Sequence, residues 1–128
     1  MKKEKCTMRK LLEVELRGLP PTLNHLYRTG RNGTRYKTVM GKLYQDYLTL
    51  LLRQEWGKRA RYESGIELRL TLTSPSRRKW DLDNRVKALQ DCLVHAGVLK
   101  DDAQVEILHV ERKQGKQSQT RLEMYEHE

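Results

Sequence analysis

The stretch from Ile66 to Thr73 alternates strictly between apolar and polar residues, and this pattern restricts the fold more than any other feature of the chain. Isoleucine or leucine occupies every second position, with glutamate, arginine or threonine between them. A period of two places all the apolar side chains on one face of an extended chain, so the segment is predicted to be a half-buried β-strand. Ser74-Pro75 is expected to end it.

Three further segments alternate in a similar way. Leu12 to Leu16 predicts a first strand that stops at Gly18. Val105 to Val110 and Arg121 to Tyr125 predict two final strands. The polar loop around Gln114-Gly115-Lys116 separates these last two, so we expect them to form a β-hairpin.

Apolar residues at helical spacing predict two helices. One extends from about Thr38 to Trp56, ahead of Gly57, and the other from about Leu82 to Ala96, ahead of Gly97. The order β-α-β-α-β-β then predicts an α+β fold in which one mixed β-sheet packs against two helices. A chain of 128 residues suits a single domain that covers residues 1–128.

The chain carries a strong excess of positive charge. Its 26 lysine and arginine residues against 17 acidic ones give a formal net charge of +9, which favours a polyanionic partner and nucleic acid before others. No apolar run is long enough to cross a bilayer, and residues 1–5 do not resemble a signal peptide. We therefore expect no membrane partner and a cytoplasmic location.

The core predicted from this composition is thin. Hydrophobic residues make up 37% of the chain and phenylalanine is absent, so additional burial in a homodimer is a reasonable expectation. Cys6 and Cys92 have no second cysteine or histidine at zinc-finger spacing, and the four histidines are scattered. A histidine-based metal site therefore has no support in the sequence.

The most informative stretch is Asp81-Leu82-Asp83-Asn84, which Lys87 follows. Together these residues could supply oxygen ligands to a hard cation such as Mg²⁺ from the start of one helix. Lys87 lies one helical turn beyond Asp83 and shares its face, beside the apolar stripe and not within it. The same residues have a structural alternative, because an aspartate before a helix is a common N-cap and Asp83 with Lys87 can form an ordinary surface pair.

Asp101-Asp102 occupies the link between the second helix and the next strand, where acidic residues often serve as turn formers. If the strands on either side of this helix lie side by side, a carboxylate there can meet those that precede the helix. Carboxylates brought together repel one another unless a cation is bound, so their convergence would indicate a metal site. Asp101 and Asn84 are candidates for a supporting role.

Basic residues surround the predicted site. Arg77-Arg78-Lys79 directly precedes it and could hold phosphodiesters. We interpret residues 24–37 as a basic loop that mixes phosphate ligands with rings able to stack on bases. Its candidate DNA contacts are Asn24, Tyr27, Arg28, Arg31, Arg35 and Lys37. The alternative is a solvated surface loop.

Three blocks of sequence carry a family resemblance. They are Pro20-Pro21 with Asn24 and Tyr27, Arg77-Arg78-Lys79 before Asp81-Leu82-Asp83-Asn84 and Lys87, and Ala96-Gly97 before Asp101-Asp102-Ala103-Gln104-Val105. In these blocks, which cover most of the chain, the sequence resembles the RusA-type Holliday-junction resolvases. Two departures, Trp80 in place of a basic residue and Leu23 in place of an asparagine, concern DNA contact more than catalysis.

The resemblance implies a homodimeric, Mg²⁺-dependent endonuclease, with Mn²⁺ as a substitute, that introduces paired nicks in four-way DNA junctions. It places Asp81, Asp83 and Asp102 at the catalytic, metal-binding aspartates and Lys87 at the catalytic lysine. The setting it implies is a bacterium or a phage.

Two other functions remain open on the sequence. A non-catalytic DNA-binding regulator would use the basic surface but would have no need of clustered carboxylates. An RNA-associated structural protein should bind folded RNA as well as branched DNA.

Overall fold

A computed structural model describes residues 8–20, 27–33, 35–76 and 85–127 of the chain. The strands are β1 (Lys10–Arg17), β2 (Tyr27–Thr29), β3 (Arg35–Lys37), β4 (Ile66–Ser74), β5 (Val105–Gln114) and β6 (Gln119–Glu126). The helices are α1 (Val39–Trp56) and α2 (Val86–His95), and a 3₁₀ turn (Asp102–Gln104) precedes β5. The α+β class and the order of elements in the main sheet are those predicted from the sequence.

The main sheet is mixed and has the strand order β1-β6-β4-β5. β6 pairs antiparallel with both β1 and β4, and β5 pairs parallel with β4. β4, α2 and β5 therefore form a crossover unit in which consecutive strands of the same direction are joined through a helix.

The predicted hairpin of the last two strands is wrong, because β5 and β6 lie on opposite sides of β4. The link between them passes over the end of β4, where the Gly115 amide donates to the Ser74 carbonyl at 3.2 Å. In its central position β6 completes the backbone hydrogen bonds of two neighbours. Alternation in the sequence shows that a segment is a strand but does not show which strand it pairs with.

Both helices contribute to one hydrophobic cluster with one face of the sheet. The α1 residues Leu48 and Leu52 are fully buried, as is Leu89 of α2. At the centre of the sheet, Leu122 stands opposite both Val14 and Leu70. A side chain of this size stabilises the fold by about 1.5–3 kcal/mol when fully buried, so these residues account for much of the core.

Both ends of α1 and the end of α2 agree with the sequence, and the predicted start of α2 near Leu82 lies outside the described residues. α1 begins after Thr38, whose side-chain hydroxyl accepts a hydrogen bond from the Gly41 amide at 3.0 Å. Gly57 and Gly97 follow the two helices with φ angles of 70° and 80°, a region in which glycine has no steric penalty.

Part of the predicted basic loop is ordered as a β-hairpin. β2 and β3 pair antiparallel, and a turn at residues 31–33 lies between them. The Gly33 amide donates to the Gly30 carbonyl at 3.0 Å, and Gly33 has a φ angle of 82°. The sequence lacks alternation here because each strand is only three residues long.

The sheet face opposite the core carries a network of ion pairs, which we call the outer-face network. It consists of Lys10, Glu13, Glu15, Arg121 and Glu123, and it is extended by Glu67, Arg69 and Tyr125. These side chains alternate with the core residues along β1, β4 and β6, as expected for a sheet with one solvated face. Within the described ranges, no helix is long and apolar enough to span a membrane.

Candidate active site

The crossover unit positions the candidate site. Because β4 and β5 are adjacent and parallel, the chain leaves the end of β4, passes through α2 and returns to the start of β5. The returning link carries Asp102 in the 3₁₀ turn. The condition set from the sequence, that the strands flanking α2 lie side by side, is therefore met.

Three charged side chains of α2 and the 3₁₀ turn meet, and we call them the carboxylate cluster: Lys87, Asp91 and Asp102. The Lys87 ammonium donates to Asp102 Oδ2 at 3.1 Å and lies 3.1 Å from Asp91 Oδ1. Lys87 and Asp91 are one helical turn apart, so both project on the same side of α2. The cluster is partly exposed, with 36% of the Asp102 side chain and 24% of the Asp91 side chain accessible.

The charge states in this cluster follow from its contacts. The Asp102 and Asp91 carboxylates raise the pKa of Lys87 above its usual value, with the hydrogen bond to Asp102 as the largest cause. In return, the Lys87 ammonium lowers the pKa of Asp102. Lys87 is therefore a cation throughout the neutral range, and it can donate hydrogen bonds and neutralise negative charge but cannot act as a general base.

Asp101 and Gln104 hold the turn that carries Asp102. Asp101 Oδ1 accepts a hydrogen bond from the Ala103 amide at 2.9 Å, which caps the 3₁₀ turn. The Gln104 side-chain oxygen accepts from the amides of Lys100 and Asp101 at 2.8 and 2.9 Å. Its side-chain nitrogen donates to the carbonyls of Tyr62 and Ser64 at 2.7 and 3.0 Å. Gln104 thus ties the turn to the segment that leads into β4.

The structure places some of the predicted site residues and does not describe others. Lys87 and Asp102 are brought together, and Asp101 supports the turn between α2 and β5. Asp81, Asp83, Asn84, Arg77, Arg78, Lys79 and Asn24 lie outside the described residues, and for Tyr27, Arg28, Arg35 and Lys37 only the backbone in β2 and β3 is described. Arg31 is exposed at the turn of that hairpin.

Sequence reasoning missed Asp91 and the role of Gln104. A signal for Asp91 was present, because Asp83, Lys87 and Asp91 follow one another at intervals of four residues, a spacing that predicts one shared side of a helix. Gln104 completes a capping box with Asp101 at the spacing typical of that motif. Its contacts with Tyr62 and Ser64 join segments about 40 residues apart, so no local sequence pattern could indicate them.

The donors of the carboxylate cluster suit a hard divalent cation. Carboxylate oxygens are the ligands that Mg²⁺ prefers, and two of them converge on one positive charge here. The described residues contain no group of three or more His, Cys, Asp or Glu side chains able to hold a metal. Asp81 and Asp83, the other aspartates predicted to bind the metal, lie outside the described residues.

Comparison with known proteins decides the family. A family model described as "Endodeoxyribonuclease RusA" matches residues 18–125. The chain belongs to this family. The match includes β4, α2 and β5, together with the 3₁₀ turn, so it extends over the whole candidate site.

Individual relatives agree with this assignment. A "Crossover junction endodeoxyribonuclease RusA" from Shigella sonnei (strain Ss046) is 37% identical over 90 residues, 67% of this chain and 70% of the relative. A protein of the same description from Aquifex aeolicus (strain VF5) is 30% identical over 103 residues, 80% of each chain. Another from Enterobacteria phage 82 is 34% identical over 90 residues, 67% of this chain and 70% of the relative.

Proposed function

We propose that this RusA-family protein is a metal-dependent endonuclease that resolves four-way DNA junctions by hydrolysing one phosphodiester per subunit. The relatives described above are named crossover junction endodeoxyribonucleases. The observation that carries the proposal is the convergence of Asp102 and Asp91 on Lys87, at the return of the crossover between β4 and β5. A non-catalytic regulator or an RNA-associated structural protein would not need this convergence.

The aspartates and the lysine of the cluster would have different roles in the reaction. Asp102, with Asp81 and Asp83, would hold the cation, which when bound supplies positive charge to the phosphodiester and lowers the pKa of water. Lys87 would hold Asp102 in place and offer its ammonium to a negatively charged oxygen of the transition state. Its raised pKa keeps that ammonium charged at every pH at which the enzyme would act.

The basic surface would bind the DNA backbone. Such binding depends on lysine and arginine side chains that neutralise phosphates and release counterions from the DNA, and the chain has a net charge of +9. The exposed Arg31 at the β2–β3 turn is one candidate phosphate contact, and the basic residues 77–79 next to the site are others. Since the relatives come from bacteria and a phage, we propose the bacterial cytoplasm as the setting.

We propose that the enzyme acts as a homodimer, with the apolar stripe of α1 as its contact. The stripe lies opposite the face of α1 that enters the core, and its side chains are 51–77% exposed: Val39, Met40, Leu43, Tyr47 and Leu50. At these exposures the five side chains offer roughly 500 Å² per copy, so a twofold pair would bury about 1,000 Å², near the minimum for a specific interface. Single exposed apolar residues are common, but a contiguous stripe of this size indicates a binding surface.

A cleavage assay tests the proposed function. Four-way junctions and linear duplexes of the same arm sequence are incubated with the protein in Mg²⁺ or in EDTA. We expect paired, symmetric nicks in the junction, in Mg²⁺ only, and little cutting of the duplex. Equal nicking of both substrates would contradict the proposal.

Sedimentation tests the dimer separately. Leu43→Glu places a charge at the centre of the stripe and should give a monomer that nicks one strand at a time. Lys58→Glu, an exposed change beyond the end of α1, is the matched control and should remain a dimer. A wild-type protein that sediments as a monomer would contradict the proposed homodimer.

A further inference from the structure

The proposed reaction leaves Asp91 without a role, although this residue contacts Lys87 as closely as Asp102 does. Asp91 Oδ1 and Asp102 Oδ2 both lie 3.1 Å from the Lys87 ammonium. The Asp91 side chain is the least exposed of the three, with 24% accessible. It also lines a cavity of about 230 Å³ together with Asp101 and Asp102. Asp91 therefore belongs to the candidate site by position.

Helix stability alone does not account for an aspartate at this position of α2. Aspartate has a low intrinsic helix propensity, and a lysine four residues before an acid is the weaker orientation of such a pair. On α1, Lys42 and Asp46 provide an ordinary example, with the same spacing, a separation of 3.2 Å and exposures of 67% and 63%. The pair on α2 is less exposed, and a carboxylate from a second element contacts the same ammonium.

Two carboxylates on different elements restrict Lys87 more than one carboxylate would. A lysine side chain is a flexible four-carbon stem that ends in a compact charge, so a single contact leaves much of its motion free. Asp91 approaches the ammonium from α2 itself, and Asp102 approaches it from the 3₁₀ turn. The ammonium has three N–H groups and these two carboxylate neighbours, so one N–H can remain for a phosphate oxygen.

The two carboxylates are not equivalent in the proposed reaction. Asp102 is proposed to hold the cation, so in the loaded enzyme Lys87 would share that carboxylate with a second positive charge. Such sharing weakens the attraction between Lys87 and Asp102, because like charges repel. Asp91 lies one helical turn from Lys87, and its contact does not depend on the turn that carries Asp102. Asp91 is therefore the partner that can keep Lys87 beside the site when Asp102 is engaged.

We propose that Asp91 is a positioning residue, which holds the Lys87 ammonium beside Asp102 so that it faces the phosphodiester. The inference rests on the proposed function, because it assigns a role in junction cleavage. Asp91 acts through Lys87 and does not itself bind the cation or the DNA. Removing the Asp91 carboxylate should therefore affect cleavage only while Lys87 is present.

A double-mutant cycle tests this dependence at saturating Mg²⁺ and junction. Asp91→Ala should slow cleavage about tenfold, because a misplaced ammonium stabilises the transition state less well. Adding Asp91→Ala to Lys87→Ala should change the rate by no more than about twofold, since residues that act as a unit are not additive. If the two losses multiply instead, Asp91 acts independently of Lys87, as a direct cation ligand would, and the proposal fails.

Further variants separate the charge of Asp91 from a structural role. Asp91→Glu keeps a carboxylate within reach of Lys87 and should cleave within about threefold of the wild-type rate. Asp91→Ala should not lower the melting temperature, because alanine has the higher helix propensity. Glu55→Ala, the same kind of change at an exposed position of α1, is the matched control and should cleave at the wild-type rate. Equal losses in Asp91→Glu and Asp91→Ala, or a loss explained by unfolding, would show a structural aspartate.

The mobility of the Lys87 side chain provides a readout that needs neither metal nor DNA. ¹³C relaxation at the lysine Cε atoms measures side-chain order in the metal-free protein, and Lys42 is the internal control in the same sample. Among the described residues Lys87 has two carboxylate partners and Lys42 has one, so Lys87 should be the more ordered in the wild-type protein. Asp91→Ala should bring the order of Lys87 close to that of Lys42.

The two readouts together distinguish this inference from the proposed function. Equal order of Lys87 in the wild-type protein and in Asp91→Ala would overturn the positioning role, whether or not junctions are cut. If Lys87 loses order in Asp91→Ala but the wild-type protein cuts no junction in Mg²⁺, the proposed function is overturned and Asp91 remains the residue that orders Lys87.

Discussion

The outer-face network and the carboxylate cluster contain the same kinds of side chains but differ in how many cations each carboxylate contacts. In the network, Glu13 contacts both Lys10 and Arg121 at 2.6 Å, and Glu123 also contacts two cations. In the cluster, Asp91 and Asp102 share Lys87, and within the described ranges neither lies within ion-pair distance of a second cation. Each carboxylate of the cluster therefore contacts one cation, which it shares with the other, whereas Glu13 and Glu123 contact two cations each.

This difference separates a structural arrangement from a candidate site. Ion pairs on a solvated sheet face contribute little to stability, and a carboxylate that already contacts two cations has little remaining attraction for a third. A pair of carboxylates with one cation between them retains the negative charge that draws in a divalent ion. Substitutions in the two regions should therefore have very different consequences.

The largest difference is expected between Asp102→Asn and Glu13→Gln. Each change removes one carboxylate charge and keeps the size of the side chain. Asp102→Asn should lower the rate of junction cleavage on the order of 1,000-fold, because a cation ligand is lost, while junction binding persists or tightens. Asp81→Asn and Asp83→Asn should do the same. Glu13→Gln should leave the cleavage rate within about twofold of wild type, and equal effects in rate assays would remove the distinction between the two regions.

Lys87 and Lys10 give the next comparison. Lys87→Ala should slow cleavage on the order of 100-fold with little change in stability, because an ammonium at the reacting phosphate is lost. Lys87→Arg should rescue poorly, since a planar guanidinium does not replace a compact charge between two carboxylates. Lys10→Ala should cut at nearly the wild-type rate. A Lys87→Ala protein that unfolds but whose folded fraction cuts normally would show a structural lysine.

The sequence predicted those parts of the fold that depend on local pattern. The alternation from Ile66 to Thr73 and the helical spacing up to Trp56 match β4 and α1 closely. The predicted pairing of β5 with β6 was wrong, because the partner of a strand depends on which other strands the sheet places beside it. Local pattern carries no such information.

The candidate site likewise has features that the sequence predicted and features that it did not. Lys87 and Asp102 were predicted to act together, and the structure places them 3.1 Å apart. The two side chains meet because the crossover topology brings the link after a helix back to the sheet, and their catalytic roles stay a prediction. Gln104 and Gln45 could not be distinguished in advance. The side-chain amide of Gln104 forms four hydrogen bonds and that of Gln45 forms none among the described residues, and both outcomes depend on distant segments.

Substitution by leucine should change the stability of these two sites in opposite ways. Gln45→Leu removes a buried side-chain amide that has no partner among the described residues, so the free energy of unfolding should rise or stay the same. Gln104→Leu leaves two amides and two carbonyls without their partner, so it should lower the free energy of unfolding by about 2–3 kcal/mol and slow cleavage by misplacing Asp102. Gln114→Leu, at an exposed position, is the matched control for an added leucine. Urea denaturation measures the free energy of unfolding of both variants. An unchanged value in Gln104→Leu would show that the hydrogen bonds of Gln104 do not stabilise the turn.

The smallest expected effect concerns stability at acidic pH. Lys87 lowers the pKa of Asp102 in the folded protein, and Lys10 lowers that of Glu13. A lowered folded-state pKa contributes stability that is present above the unfolded value, near 4, and is lost as the pH falls through the folded value. The free energy of unfolding should therefore decrease as the pH is lowered below about 4. The decrease should be slightly less steep in Asp102→Asn and Glu13→Gln. Because both groups are partly exposed, solvent screening keeps each contribution to a fraction of a kcal/mol.

The rate of junction cleavage as a function of Mg²⁺ concentration tests the central claim most directly. The wild-type protein, Asp102→Asn and Glu13→Gln are compared at saturating junction, in EDTA and across a titration of the metal. The account predicts no cleavage in EDTA, a saturating curve shared by wild type and Glu13→Gln, and a greatly reduced rate and weakened metal dependence in Asp102→Asn. Cleavage by wild type in EDTA, or one curve for all three proteins, would contradict a cation site at the carboxylate cluster.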